Sequence, residues 1–217
     1  MKKIILACLI VLGMATASFA FDDEDFQVWN TVKANWKLAD DWKLSLEEEF
    51  YHGDNAGHMY YQHSDLGVTY SGLAKWFDIG IFYRQIFQKI NHDWKPENRP
   101  HVDATFKWSL FNFSFLDRSR YEYRGMPNKD NTWRYRNCFK MKSPWKFTKF
   151  EIRPYTAYEI FYDSGTSSLN RKRLYHGFTF KITEKVSADL YYMRQSDDKK
   201  DYWNHTNVFG TRLNINF

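Results

Sequence analysis

Apolar and polar residues alternate along most of this chain, and turn-forming residues interrupt the alternation at intervals. A period of two places neighbouring side chains on opposite faces of a strand. The first such segment carries Val28, Val32, Ala34 and Trp36 on one parity, and the second carries Trp42, Leu44, Leu46 and Phe50. The cleanest holds Val102, Ala104, Phe106, Trp108 and Leu110, and the last holds Phe209, Leu213, Ile215 and Phe217. Eleven segments can be counted in this way, with no helical periodicity between them. The pattern predicts an all-β, antiparallel up-and-down barrel. Single-chain bacterial barrels of the membrane-spanning kind have even strand numbers, which sets the expectation at about 12, with 10 as the fallback.

The opposite parity is polar. It holds His63 and Asp65, Arg84, His101 and Asp103, Arg118, Arg120, Glu122 and Arg124. It continues through Arg134, Arg136, Glu151, Arg153, Glu159, Arg171, Arg173 and Arg212. Glu48, Asp117 and His176 break the rule by falling on the apolar parity, which points to bulges or shifted register there. Connections read as short near 39–41, 71–75, 111–112, 143–148 and 183–185. They read as longer near 52–58, 88–100, 125–132, 163–170 and 196–202. Short turns on one rim and long loops on the other is the outer-membrane arrangement.

Alternation alone does not say which parity faces inward. A soluble ligand-binding barrel would hide the apolar face and expose the charges. Composition argues for the reverse. Aromatic residues make up 20% of the chain and charged residues 26%, and a small barrel interior could not hold so many rings. Several rings (Trp42, Tyr70, Trp108, Trp133, Tyr192) fall near segment ends, where a membrane interface favours them.

Residues 1–20 read as a cleavable signal peptide: Met1-Lys2-Lys3, an apolar stretch from Ile4 to Ala15, and Ser18-Phe19-Ala20 before the cut. The expected mature domain is 21–217, a single outer-membrane barrel exported through the periplasm of a Gram-negative cell. Cys8 falls inside the signal, which leaves Cys138 alone and excludes an intrachain disulfide. The net charge of +5 is spread over strands rather than grouped in a nucleic-acid-binding motif, so no nucleic-acid partner is expected.

The final segment, Val208 to Phe217, resembles the C-terminal signature strand of outer-membrane barrels, with Phe217 as the assembly signal. That resemblance implies recognition by the barrel-assembly machinery. A wider resemblance rests on an ordered set of motifs: Asp65-Leu-Gly-Val-Thr-Tyr70, Tyr83-Arg-Gln85, Arg118-Ser-Arg-Tyr-Glu-Tyr-Arg124, Arg134-Tyr-Arg-Asn137, Arg153-Pro-Tyr155 with Tyr158-Glu159, and Arg171-Lys-Arg-Leu-Tyr175. Together they resemble the uncharacterised outer-membrane β-barrel family catalogued as domain of unknown function 2490. The resemblance implies a barrel in the outer membrane, in contact with lipid and lipopolysaccharide. It brings no established activity.

Three Arg-x-Arg pairs, at 118/120, 134/136 and 171/173, would point into the lumen with Glu122 and Glu159 placed to answer them. The sequence thus supports a structural or pore-forming protein with an anion-interacting Arg/Glu lumen. The alternative is a lipid-modifying or hydrolytic enzyme using His63/Asp65 or His101/Asp103 near the extracellular rim, although no nucleophilic serine motif accompanies them. Asp54, His58 and His63 lack the compact spacing of a metal-ligand motif, so neither metal nor cofactor is expected.

Overall fold

The computed structural model describes residues 23–127 and 130–217. The segment read as a signal peptide lies outside the described residues. Eleven strands run in chain order: β1 (Asp25–Ala39), β2 (Trp42–Gly53), β3 (His58–Ala74), β4 (Phe77–Ile90), β5 (Asp93–Leu110), β6 (Phe113–Arg124), β7 (Thr132–Lys142), β8 (Arg153–Asp163), β9 (Ser168–Lys181), β10 (Val186–Asp198) and β11 (Trp203–Asn216). They close into one barrel in which each strand pairs with its sequence neighbours.

The count equals the number of alternating segments and falls between the even numbers expected. In an up-and-down meander an odd count leaves the first and last strands pointing the same way. β1 and β11 accordingly pair in parallel, from Asp25↔Thr206 to Asn35↔Asn216, while every other pair is antiparallel. Side chains stitch this seam. Thr211 donates to Asn30 at 2.7 Å, and Phe217 stacks on Trp36 with ring centroids 5.4 Å apart.

Parity settles which face is which. Ile81, Leu66, Val32, Phe209 and Leu190 stand on the outer surface, Ile81 with 70% of its area exposed. Arg84, Glu122, Arg136 and Glu159 are buried inside. Exposed tryptophans gather at the strand ends, with Trp42, Trp76, Trp108 and Trp145 at one rim and Trp94, Trp133 and Trp203 at the other. Glu48, Asp117 and His176 do point outward, and the register shifts lie elsewhere, so no bulge redirects them. Glu48 accepts a hydrogen bond from Ser64 (2.8 Å) and Asp117 from Asn137 (2.5 Å), which satisfies each carboxylate locally on the outer face.

Two expected connections are corrected. Residues 88–100 are no loop: β4 continues to Ile90 and β5 starts at Asp93, leaving a two-residue hairpin at Asn91 (φ 50°) and His92 (φ 71°). Positive φ at both central residues gives a turn whose twist matches the strands it joins. Pro96 and Pro100 lie inside β5 and lack the N–H that a ladder uses. They share the parity of Asn98, whose N–H points toward β6 and bonds Gly125. The β5–β6 ladder is continuous only from His101 onward, with Asn98↔Gly125 an isolated bridge before it, so the missing proline N–H groups fall at the frayed end of that ladder. Conversely, the connection expected to be short at 143–148 spans 143–152 and includes a Phe147↔Ile152 bridge. The contrast in loop length between the rims is therefore weaker than the sequence suggested.

Candidate functional site

Alternation delivers every second side chain of each strand to the lumen, and the strand order decides which charges meet there. One arginine of each Arg-x-Arg pair converges on Glu159 of β8. Glu159 Oε1 accepts from Arg118 Nη2 (3.0 Å) and from Arg136 Nε and Nη2 (3.2 and 2.8 Å). Its Oε2 accepts from the Tyr175 hydroxyl (3.1 Å) and lies 3.6 Å from Arg173 Nη1. Arg136 turns its third nitrogen, Nη1, to Glu122 Oε1 at 2.8 Å. A planar guanidinium with a rigid fork of donors suits this double engagement. Arg136 and Arg173 also lie over the Phe161 ring, at 4.6 and 4.8 Å from its centroid.

Nearer the β4–β5 hairpin rim a second group forms. Arg124 bridges Glu97 and Asp163, donating at 2.8 Å to each, and Arg134 donates to Asp163 at 3.0 Å. Arg99 joins through Glu97 at 2.7 Å. Arg120 binds both oxygens of Asp103 (2.6 and 2.7 Å), Arg84 binds Asp65 (2.9 and 2.6 Å), and Arg171 pairs with Asp197. Arg212 faces the lumen between Thr31 and Asp189 in register.

Two expected members stand apart from this network. Glu151 lies on the β7–β8 connection, outside the lumen, paired with Lys146 at 2.6 Å. The Lys146 hydrogen bond holds its carboxyl below the usual range. Arg153 donates to the Ser143 carbonyl (2.9 and 2.6 Å) rather than to a carboxylate. The β7–β8 connection takes Glu151 out of the barrel wall, while Arg153 opens β8 on the same parity as Tyr155 and Glu159. Sequence reasoning missed Glu97 and Arg99 because two prolines disguised their strand. Asp163 was missed because it closes β8 where a loop had been expected.

The histidines sit mid-barrel rather than at a rim. His63 is the sixth residue of β3 and His101 the ninth of β5, and neither side chain has any exposed surface. His63 faces Glu47 and Glu49 across β2, at 3.6 Å from Nε2 and 3.4 Å from Nδ1. Asp65 is instead the neighbour of His101, whose Nε2 lies 3.6 Å from Asp65 Oδ2 and 3.9 Å from Asp103 Oδ1. A general base must touch the proton it removes, and rings this enclosed offer no path to a substrate at the rim. His58 and Asp54 form a separate surface pair at 3.3 Å.

Between these walls runs a cavity of about 580 Å³, reaching from Lys43 near one rim to Gln88 and Arg171 near the other. Thirteen lysine and arginine side chains line it, against six carboxylates. Glu97, Glu122 and Asp163 hold their arginines from behind, so the wall that a solute meets is predominantly cationic. On the β1–β3 side the wall is aromatic. Trp29 stacks on Tyr51 (3.6 Å between centroids), Tyr51 stacks on Tyr61 (4.4 Å), and Arg173 covers Trp29 at 4.9 Å.

A family model described as a protein of unknown function, DUF2490, matches residues 26–206. The chain belongs to that family. No curated protein matches it.

Proposed function

We propose that this member of the DUF2490 family is an integral outer-membrane barrel of a Gram-negative cell, exported by residues 1–20, with a lumen that receives small anions. The single observation that carries the lumen reading is the excess of thirteen cationic over six anionic side chains on the cavity wall. The salt-bridged groups around Glu159 and Asp163 form the frame, and the cationic surplus is the working surface.

The outer wall supports the location. A continuous belt of exposed aliphatic side chains is costly in water and favourable in lipid. The rim tryptophans match the aromatic girdles of membrane barrels, and strands of 11–18 residues exceed the roughly 9–11 needed to cross a bilayer. Outward Lys and Arg near the rims would meet lipopolysaccharide phosphates, and β11 is the strand offered to the barrel-assembly machinery. Planar-bilayer recording of the purified protein tests the reading. Small current steps with an anion-selective reversal potential are expected; a sealed barrel or cation selectivity contradicts it.

A further inference from the structure

The charged lumen leaves four polar atoms of one small region without a hydrogen-bond partner: both ring nitrogens of His63, Asp65 Oδ1 and His101 Nε2. Buried polar groups are almost always satisfied, because an unpaired one has given up its water for nothing. Here the orphans cluster, and their neighbours orient them in a consistent way.

Asp65 has one oxygen, Oδ2, held by Arg84 at 2.9 and 2.6 Å, which leaves Oδ1 free. Glu47 has Oε2 near Lys33 at 3.4 Å, and its Oε1 faces His63 Nε2 at 3.6 Å. Glu49 faces the other ring nitrogen, Nδ1, and is itself fixed by Thr31 (2.9 Å) and the Tyr51 hydroxyl (2.6 Å). A carboxylate on Nδ1 favours the tautomer that presents a lone pair at Nε2. His101 repeats the device: Nδ1 faces the Arg99 carbonyl at 3.4 Å, Phe82 stacks on the ring at 5.1 Å, and Nε2 is left toward Asp65.

Two imidazole lone pairs and two carboxylate oxygens are all acceptors, and one water has only two hydrogens to offer them. A cation is the partner that the three of them lying together, on Glu47, His63 and Asp65, can share. One ligand atom each from Glu47, His63 and Asp65 already lies within 4.8 Å of the others. Metal–ligand bonds near 2.0–2.2 Å place ligand atoms about 3.3–3.5 Å apart, close to the 3.6 Å between His63 and Glu47. Mixed imidazole and carboxylate donors suit Zn²⁺ and its first-row neighbours better than Ca²⁺ or Mg²⁺.

We propose that Glu47, His63 and Asp65 form a binding site for Zn²⁺ or a similar divalent transition-metal ion, with His101 beside Asp65 at its edge. Glu49 and Arg84 position the ligands from behind. Glu47 and Asp65 line the cavity, so the ion enters from the lumen. The site ties β2 and β3 together and stands independently of the anion reading, because it uses the acidic wall rather than the arginines.

The test is Zn²⁺ equilibrium dialysis of the purified, chelator-stripped full chain, together with Co²⁺ absorption spectroscopy. One Zn²⁺ per chain is expected, with a four-coordinate Co²⁺ spectrum. His63→Gln should abolish binding, and Glu49→Gln should weaken it about 10–100-fold. His58→Gln, at the surface pair, should leave it unchanged. Binding that survives His63→Gln, or no retained metal in the unmodified chain, overturns the proposal. If a variant does not fold, the Co²⁺ spectrum of the unmodified chain decides: a six-coordinate, water-like spectrum contradicts the site.

Discussion

Glu159 and His63 lie on opposite walls of one lumen, equally buried, and they are treated in opposite ways. Glu159 is surrounded by three arginines and a tyrosine, and both of its oxygens are engaged. His63 has two carboxylates at 3.4–3.6 Å and makes a hydrogen bond to neither. Burying a charge is costly unless it is paired and hydrogen-bonded. The first centre meets that condition with the chain's own residues and therefore reads as framework. The second does not, and therefore reads as a place for something the chain does not supply. Burial and charge alone would have put the two in one class; the hydrogen-bond inventory separates them.

The largest effect expected from this contrast is at Glu159. Glu159→Ala leaves Arg118, Arg136 and Arg173 facing one another and should cost about 3–5 kcal/mol, measured as a lower urea midpoint of the heat-modifiable folded band. Arg136→Lys comes next. It keeps the charge but cannot span Glu122 and Glu159 together, and a loss of about 1.5–3 kcal/mol is expected. Gly67→Ala probes the other wall. A Cβ there would lie 2.1 Å from the Phe82 ring, which in turn stacks on His101. Overpacking of this kind costs about 1–3 kcal/mol, and Zn²⁺ affinity should fall with stability. His63→Gln in metal-free protein should have the smallest effect of the four, because no hydrogen bond is lost. Equal destabilisation by His63→Gln and Glu159→Ala would erase the distinction between the two walls.

Much of the barrel was legible from alternation, because one face of each strand is predominantly apolar. Arg118/Arg120, Arg134/Arg136 and Arg171/Arg173 could be assigned to a common face from spacing alone. Their partners were only partly readable. Glu122 and Glu159 followed from sequential strand pairing, but Glu97 and Arg99 sat in a proline-containing stretch whose frayed ladder end cannot be seen locally. Glu151 kept the right parity on paper, yet it falls in the ten-residue connection before β8. The pairing of His101 with Asp65 rather than with Asp103 alone depends on the β3–β4–β5 register, in which Asp65 opposes Arg84 and Gly80 opposes Asp103. The odd strand count, too, is decided by closure between Asn35 and Asn216, a contact far apart in the chain.

All of this assumes a wall with lipid outside and charge inside. The most direct measurement is fluorescence quenching by bilayer lipids brominated at mid-chain, using tryptophan-depleted protein carrying Leu66→Trp on the outer belt or Ile86→Trp in the lumen, each checked for folded migration. Strong quenching of the position-66 probe with little at position 86 is predicted. Equal quenching at both positions, or none at position 66, would contradict the account.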